Sequence, residues 1–124
     1  MPPSPIVVVT DDARLRDEIV GSLPAEFAVH LAADSRVASE LMRSITPALV
    51  LAEIRTGSAG GVGLARDMAQ DSRLANVPVL MLLERPQDEW LARAAGARLV
   101  RTRPISIDRL VIDIRDLTSA TTVS

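Results

Sequence analysis

Four charged residues stand at positions where they could do chemistry together. Asp11 and Asp12 are adjacent and follow a β-branched run. Glu53 ends a second apolar run, and Arg103 precedes a proline after a third. Each falls where a short buried strand would end, and the carboxyl edge of parallel strands is where open α/β sheets place their sites. Three carboxylates converging in a cleft suit a hard cation such as Mg²⁺. Arg103 adds a fixed planar cation to the same edge. The simpler reading of Asp11 and Asp12 is that they cap a helix. Capping alone does not account for a third acid and a cation, each at a strand end.

The stretch PALVLAEIRTGSAGGVGL, residues 47–64, organises the rest. It reads as a strand at Ala48–Ala52 delivering Glu53, a glycine-rich loop at Arg55–Gly61, and a helix from Val62 to Gln70. Around it, continuous apolar runs at Ile6–Thr10, Phe27–Ala32, Val79–Leu83 and Arg98–Thr102 predict four more strands, buried on both faces. Between them lie helical patterns. Ala13–Leu23 carries Leu15, Ile19, Val20 and Leu23 at helical spacing. A second helix, capped by Asp34 or Ser35, carries Val37, Ala38, Leu41, Met42 and Ile45. Pro86 opens a fourth, with Asp88 and Glu89 in its first turn, ending near Gly96. Ser106 caps the last, with Leu110, Val111, Ile114 and Leu117 inside. Strands alternating with helices predict an α/β fold, a doubly wound five-stranded parallel sheet with five helices, flavodoxin-like with strand order 2-1-3-4-5. One domain is expected over residues 1–118, followed by a flexible tail at 119–124.

Composition narrows the function. The chain has 124 residues, 48% of them hydrophobic and only 2% aromatic, so one domain with an aliphatic core is expected. A net charge of −2 argues against nucleic acid held by bulk charge. All 14 basic residues are Arg, which reads first as a genomic bias. Without Cys there is no thiol catalysis or Cys-based metal site. The start MPPSPIVVVT is not a signal peptide, and no apolar run is long enough to span a membrane. A cytoplasmic, bacterial protein is expected. The loop TDDAR holds neither a glycine-rich phosphate cradle nor a Walker lysine, so a nucleotide- or flavin-binding domain is a remote alternative. No Ser-His-Asp or Cys-His set supports a hydrolase, and no enzyme is expected. His30, the only His, reads as a structural residue on the second strand.

The pieces IVVVTDD, PALVLAEI, VPVLMLLE, AAGARLV and RTRP resemble the receiver domain of bacterial two-component response regulators, over Ile6–Leu117. In that family the acid pair holds Mg²⁺ and an Asp after strand 3 accepts a phosphoryl group from a histidine kinase. A Thr or Ser after strand 4 binds the phosphoryl oxygens, a Lys before Pro pairs with them, and an aromatic on strand 5 swings inward. The resemblance implies that Asp11 and Asp12 are the metal pair, with Glu53 completing it. Glu53 stands at the phosphoacceptor position, Leu83 at the Thr/Ser position, Arg103 at the Lys position and Val100 at the switch-aromatic position. Gly57 and Gly60 also depart from the family's loop, while Gly61 matches it.

The departures act together. Glu53 is one methylene longer than Asp, so its carboxylate projects toward the space a phosphoryl group would fill, with one charge where phosphoryl brings about two. Leu83 removes a hydroxyl and Val100 removes a ring. The expected function is an atypical receiver in phosphorelay signal transduction, working as a phosphorylation-independent protein-interaction module. The alternative is a Mg-dependent phosphoacceptor modified at Glu53 by a histidine kinase. No cofactor is required, and Mg²⁺ is the one the acids could take. Arg103 is expected to pair with Glu53 or Asp11. Glu84 either joins that network through Arg55 or Arg103 or is solvated. The partner is expected to be a protein: a histidine kinase, an output domain or another regulator. A homodimer through helix 4, strand 5 and helix 5 is the further expectation, and neither nucleic acid nor membrane is expected as a direct partner. Trp90, Arg93, Arg98, Arg101 and Asp108 mark that face, with Asp113 and Arg115 adding to a solvated mix of charge. Trp90 is either a core anchor or an exposed contact. The chain ends soon after the last helix, so no output domain is expected within it.

Overall fold

The β-branched and leucine-rich runs form the sheet, and proline or a capping acid marks where each gives way. The computed structural model describes residues 2–55 and 60–122, with side chains through residue 119. In chain order the elements are β1 (Ser4–Val9), α1 (Ala13–Ser22), β2 (Phe27–Ala32), α2 (Ser35–Ser44), β3 (Leu49–Glu53), α3 (Gly60–Gln70), β4 (Val79–Leu83), α4 (Glu89–Ala95), β5 (Leu99–Thr102) and α5 (Ile107–Thr122). All neighbouring strands are parallel, in the order β2-β1-β3-β4-β5. This is the doubly wound flavodoxin-like arrangement that the alternating pattern predicts.

Successive side chains of a strand point to opposite faces, so the sheet divides the core in two. Val7, Val9, Val50, Ala52, Met81 and Leu83 face α2, α3 and α4, where Met42, Leu64, Met68 and Ala92 meet them. Ile6, Val8, Leu49, Leu51, Leu80 and Leu82 face the other way, onto Ile19 of α1 and Leu110 and Ile114 of α5. Asp12 caps α1, and Asp34 rather than Ser35 caps α2 by accepting from Val37 N.

The elements differ from expectation in places. Val20 is 51% exposed, because Ile19 alone supplies the fully buried contact of α1. The chain enters α4 through a 3₁₀ turn at Pro86–Asp88, so proline opens that turn and the α-helix follows. The helix α3 starts at Gly60, two residues before the apolar signal at Val62. The stretch expected as a tail is helical as far as Thr122. Part of the glycine-rich loop, residues 56–59 with Gly57, lies outside the described residues.

Candidate functional site

The sheet register builds the site. Val9 of β1 lies beside Ala52 of β3, so the next residues, Thr10 and Glu53, come level at the carboxyl edge. Thr10 Oγ1 donates to Glu53 Oε2 at 2.6 Å and accepts the N–H of Asp12 at 3.0 Å. At the far edge, Leu83 lies beside Thr102, and Arg103 N donates to the Leu83 carbonyl at 2.8 Å. From there the Arg103 side chain reaches back across β4. Its Nη1 donates to Asp12 Oδ2 at 2.9 Å and its Nη2 to Glu53 Oε1. The guanidinium thus bridges carboxylates from β3 and from the turn after β1. The peptide bond from Arg103 to Pro104 is cis.

Asp12 has both roles that its position suggests. Oδ1 accepts from Arg14 N at 3.0 Å and Leu15 N at 3.3 Å, capping α1, while Oδ2 meets Arg103. The Arg103 guanidinium, aided mainly by the Leu15 N–H, holds the Asp12 carboxyl below its ordinary range. A depressed carboxyl stabilises the fold above the unfolded-chain value, and that contribution is lost as pH falls through the folded one. Asp12→Asn is therefore expected to flatten the acid side of a denaturation-midpoint-against-pH curve and leave the neutral side least changed in slope.

The glycines at the start of α3 serve the same corner. Gly60 has φ of +65°, and a Cβ on Gly61 would lie 2.5 Å from the Glu53 carbonyl oxygen. Gly61 N donates to the Ile54 carbonyl at 3.0 Å, so α3 begins directly against the end of β3. The obstacle is backbone, which cannot rotate away. Gly61→Ala is expected to lose about 2 kcal/mol of stability, the scale of overpacking. Urea denaturation measures it, and amide shifts at Glu53 and Ile54 would report the displacement.

Not every expected member joins. Asp11 is exposed, and Arg103 pairs with Asp12 where Asp11 was the expected alternative. The cap geometry of α1 explains this: it turns Asp12 toward the cleft. Among the described residues no three acidic or imidazole side chains are grouped to hold a metal ion. The Arg103 guanidinium lies between the carboxylates of Asp12 and Glu53. Leu83 is fully buried and Val100 packs on the core beside α4. Glu84 is exposed, so the solvated reading holds for it.

The face of α4, β5 and α5 needs a correction. Trp90 is 71% exposed, and Arg98 and Asp108 are also exposed. Arg93 pairs with Glu89 at 2.8 Å and Arg115 with Glu26 at 2.9 Å. Arg101 is not a loose surface charge. It grips Asp113 through two hydrogen bonds of 2.8 and 2.9 Å, and Asp113 is only 3% exposed. Arg109 adds a contact at 3.4 Å. Asp113 holds the Arg101 guanidinium more firmly protonated than usual. The signal for this pair was in the sequence: Asp113 falls between Leu110 and Ile114 on the inward face of α5, where a carboxylate requires a partner. Thr10 reads in sequence as one more β-branched strand residue, although a hydroxyl directly before two acids is its own signal.

A shallow cleft of about 430 Å³ opens beside the cluster, lined by Asp12, Leu15, Glu18, Arg103, Pro104 and Ile105. Among the described residues no helix is long and apolar enough to cross a membrane.

No protein-family model matches the chain. Two curated proteins of Synechocystis sp. align with most of it. The DNA-binding dual master transcriptional regulator RpaA is 26% identical over 115 residues, 90% of this chain and 48% of that protein. The response regulator Rre1 is 25% identical over 119 residues, 93% of this chain and 52% of that protein. The chain spans about half the length of these relatives. Among solved structures, a Francisella response-regulator receiver domain superposes with a TM-score of 0.85 at 20% identity, covering 95% of this chain and 98% of that one. The receiver domain of a Pseudomonas aeruginosa sensor histidine kinase, with magnesium coordinated in its active site cleft, superposes at 0.83 and 18% identity, covering 94% and 98%. The fold of this chain, in strand order, helix number and extent, is the CheY-like receiver-domain fold.

Proposed function

We propose that this chain is an atypical receiver that regulates by protein contact and not by phosphoryl transfer at residue 53. The observation that carries the reading is the Arg103 guanidinium bridging Asp12 and Glu53. A phosphorylatable site needs its carboxylate open to an in-line donor and its acids open to a divalent ion. Here one cation from the chain itself pairs with both acids. Leu83 offers no hydroxyl to a phosphoryl oxygen and Val100 offers no ring to report it. The Glu53 carboxylate, one methylene beyond the usual acceptor, stands in for part of the phosphoryl charge.

The output surface is the face of α4, β5 and α5. Trp90 supplies an exposed aromatic there, the residue type that dominates binding energy at interfaces. Arg93, Arg98 and Asp108 rim it with both signs of charge. Its partner is a histidine kinase, an output domain or another regulator, or a second copy of the chain.

The competing reading is phosphorylation of Glu53 with Mg²⁺ bound by Asp11 and Asp12, in line with the magnesium held by the Pseudomonas aeruginosa receiver domain of the same fold. Incubation with Mg²⁺ and a small phosphodonor, followed by intact-mass measurement, separates the two. The proposed reading expects no phosphoryl adduct on the chain and an adduct on Glu53→Asp only if side-chain length alone is the block. An adduct on the unmodified chain that Glu53→Gln abolishes establishes the competing reading.

A further inference from the structure

The carboxylate of Glu53 has two oxygens, and Arg103 engages Oε1. The other, Oε2, accepts from Thr10 Oγ1 at 2.6 Å, a length typical of a hydroxyl donating to an ionised carboxylate. Three further observations show that this contact is built in. Thr10 is only 5% exposed, so water competes little for its hydroxyl. Its backbone N–H is tied to the Ala32 carbonyl at 3.0 Å, which holds the strand end in place. The Asp12 N–H arrives at the same hydroxyl oxygen at 3.0 Å. A hydroxyl has one proton and two lone pairs. With an N–H directed at the oxygen, its own proton is left to point at Glu53. The β-branched side chain then restricts χ1, so the hydroxyl has little freedom to turn elsewhere.

The consequence reaches both acids. Thr10 touches Glu53 through its proton and Asp12 through its lone pair, and these are the two residues that Arg103 bridges. We infer that Thr10 is the positioning residue of the cluster: its hydroxyl holds Glu53 and the Asp12 turn in the arrangement that a single guanidinium can span. A hydroxyl is thus present beside residue 53, supplied from the end of β1, while the end of β4 supplies only Leu83. This inference rests on the proposed reading of the site and adds to it the residue that holds the closed cluster together.

The test uses the full chain and its Thr10→Val and Thr10→Ser variants. Valine keeps the shape and removes the proton and the lone pairs, whereas serine keeps both. The readout is NMR exchange of the Arg103 guanidinium protons with water, with the Arg101 guanidinium, held by Asp113, as an internal control. Thr10→Val is expected to speed Arg103 exchange about fivefold, the factor carried by one typical hydrogen bond. Thr10→Ser is expected to restore slow exchange, and Arg101 to stay unchanged in both. Unchanged Arg103 exchange in Thr10→Val, failure of Thr10→Ser to restore it, or equal acceleration at Arg101 overturns the inference. Should Thr10→Val not fold, the unmodified chain decides: a resolved, water-protected Thr10 hydroxyl proton supports the inference and its absence overturns it. A phosphoryl adduct on the unmodified chain would overturn the functional reading and leave these results standing.

Discussion

Replacing Arg101 with Met is expected to lower the unfolding free energy by about 3 kcal/mol, the low end of what breaking a buried ion pair costs. The cost comes from Asp113. At 3% exposure its carboxylate has lost its water, and the two hydrogen bonds from Arg101 replace that hydration. Methionine keeps the apolar stem and removes the fork, so the charge stays buried. Two features limit the loss. The Arg101 side chain is itself about a third exposed, which screens the pair, and Arg109 remains 3.4 Å away. Urea denaturation measures the effect. The double variant Arg101→Met with Asp113→Leu should recover most of it, since a matched apolar pair leaves no orphaned charge. If the double variant is no more stable than the single, burial of an unpaired charge is not the cause. The pair also ties β5 to α5, so the single variant should broaden amide signals along both elements.

Arg103→Met is expected to cost about 2 kcal/mol, less than Arg101→Met because Asp12 is about a third exposed whereas Asp113 is buried. Its second effect is larger in character. Removing the guanidinium takes away the cation that bridges the carboxylates of Asp12 and Glu53. Millimolar Mg²⁺ should then stabilise the variant, because a ligand that binds only the folded state raises its stability. The same ion should leave the unmodified chain's melting temperature unchanged. Glu53→Gln in the Arg103→Met background should reduce the Mg²⁺ response. A melting temperature of Arg103→Met that ignores Mg²⁺ would show that the two acids do not form a latent cation pair.

The fold was legible because its signals are long and mutually consistent. β2 and β4 match the apolar runs residue for residue, and capping acids or prolines mark most boundaries. Glu53 and Arg103 were legible as partners because both sit at strand ends, and parallel strands bring those ends to one edge. Which acid of the pair would join them was not legible. Asp11 and Asp12 differ only in how the turn into α1 aims them, and that depends on the cap bonds to Arg14 and Leu15. Thr10 was hidden by its own propensity: a β-branched residue in a β-branched run draws no notice until register sets it opposite Glu53. Arg101 and Asp113 read in sequence as part of a solvated surface, because charges of both signs are scattered over the last strand and helix. Their pairing depends on strand register and helix phase together, which no single window of sequence contains.

In the proposed function Arg103 closes the site, so that neither a divalent ion nor a phosphoryl group engages residue 53. Amide NMR of the unmodified chain with Mg²⁺ and beryllofluoride, a phosphoryl analogue, tests it most directly. Spectra that stay superimposable with the untreated chain at Glu53, Ile54, Leu83 and Val100 are the predicted result. Large shifts at Glu53 and the end of β4, spreading to β5, would contradict it.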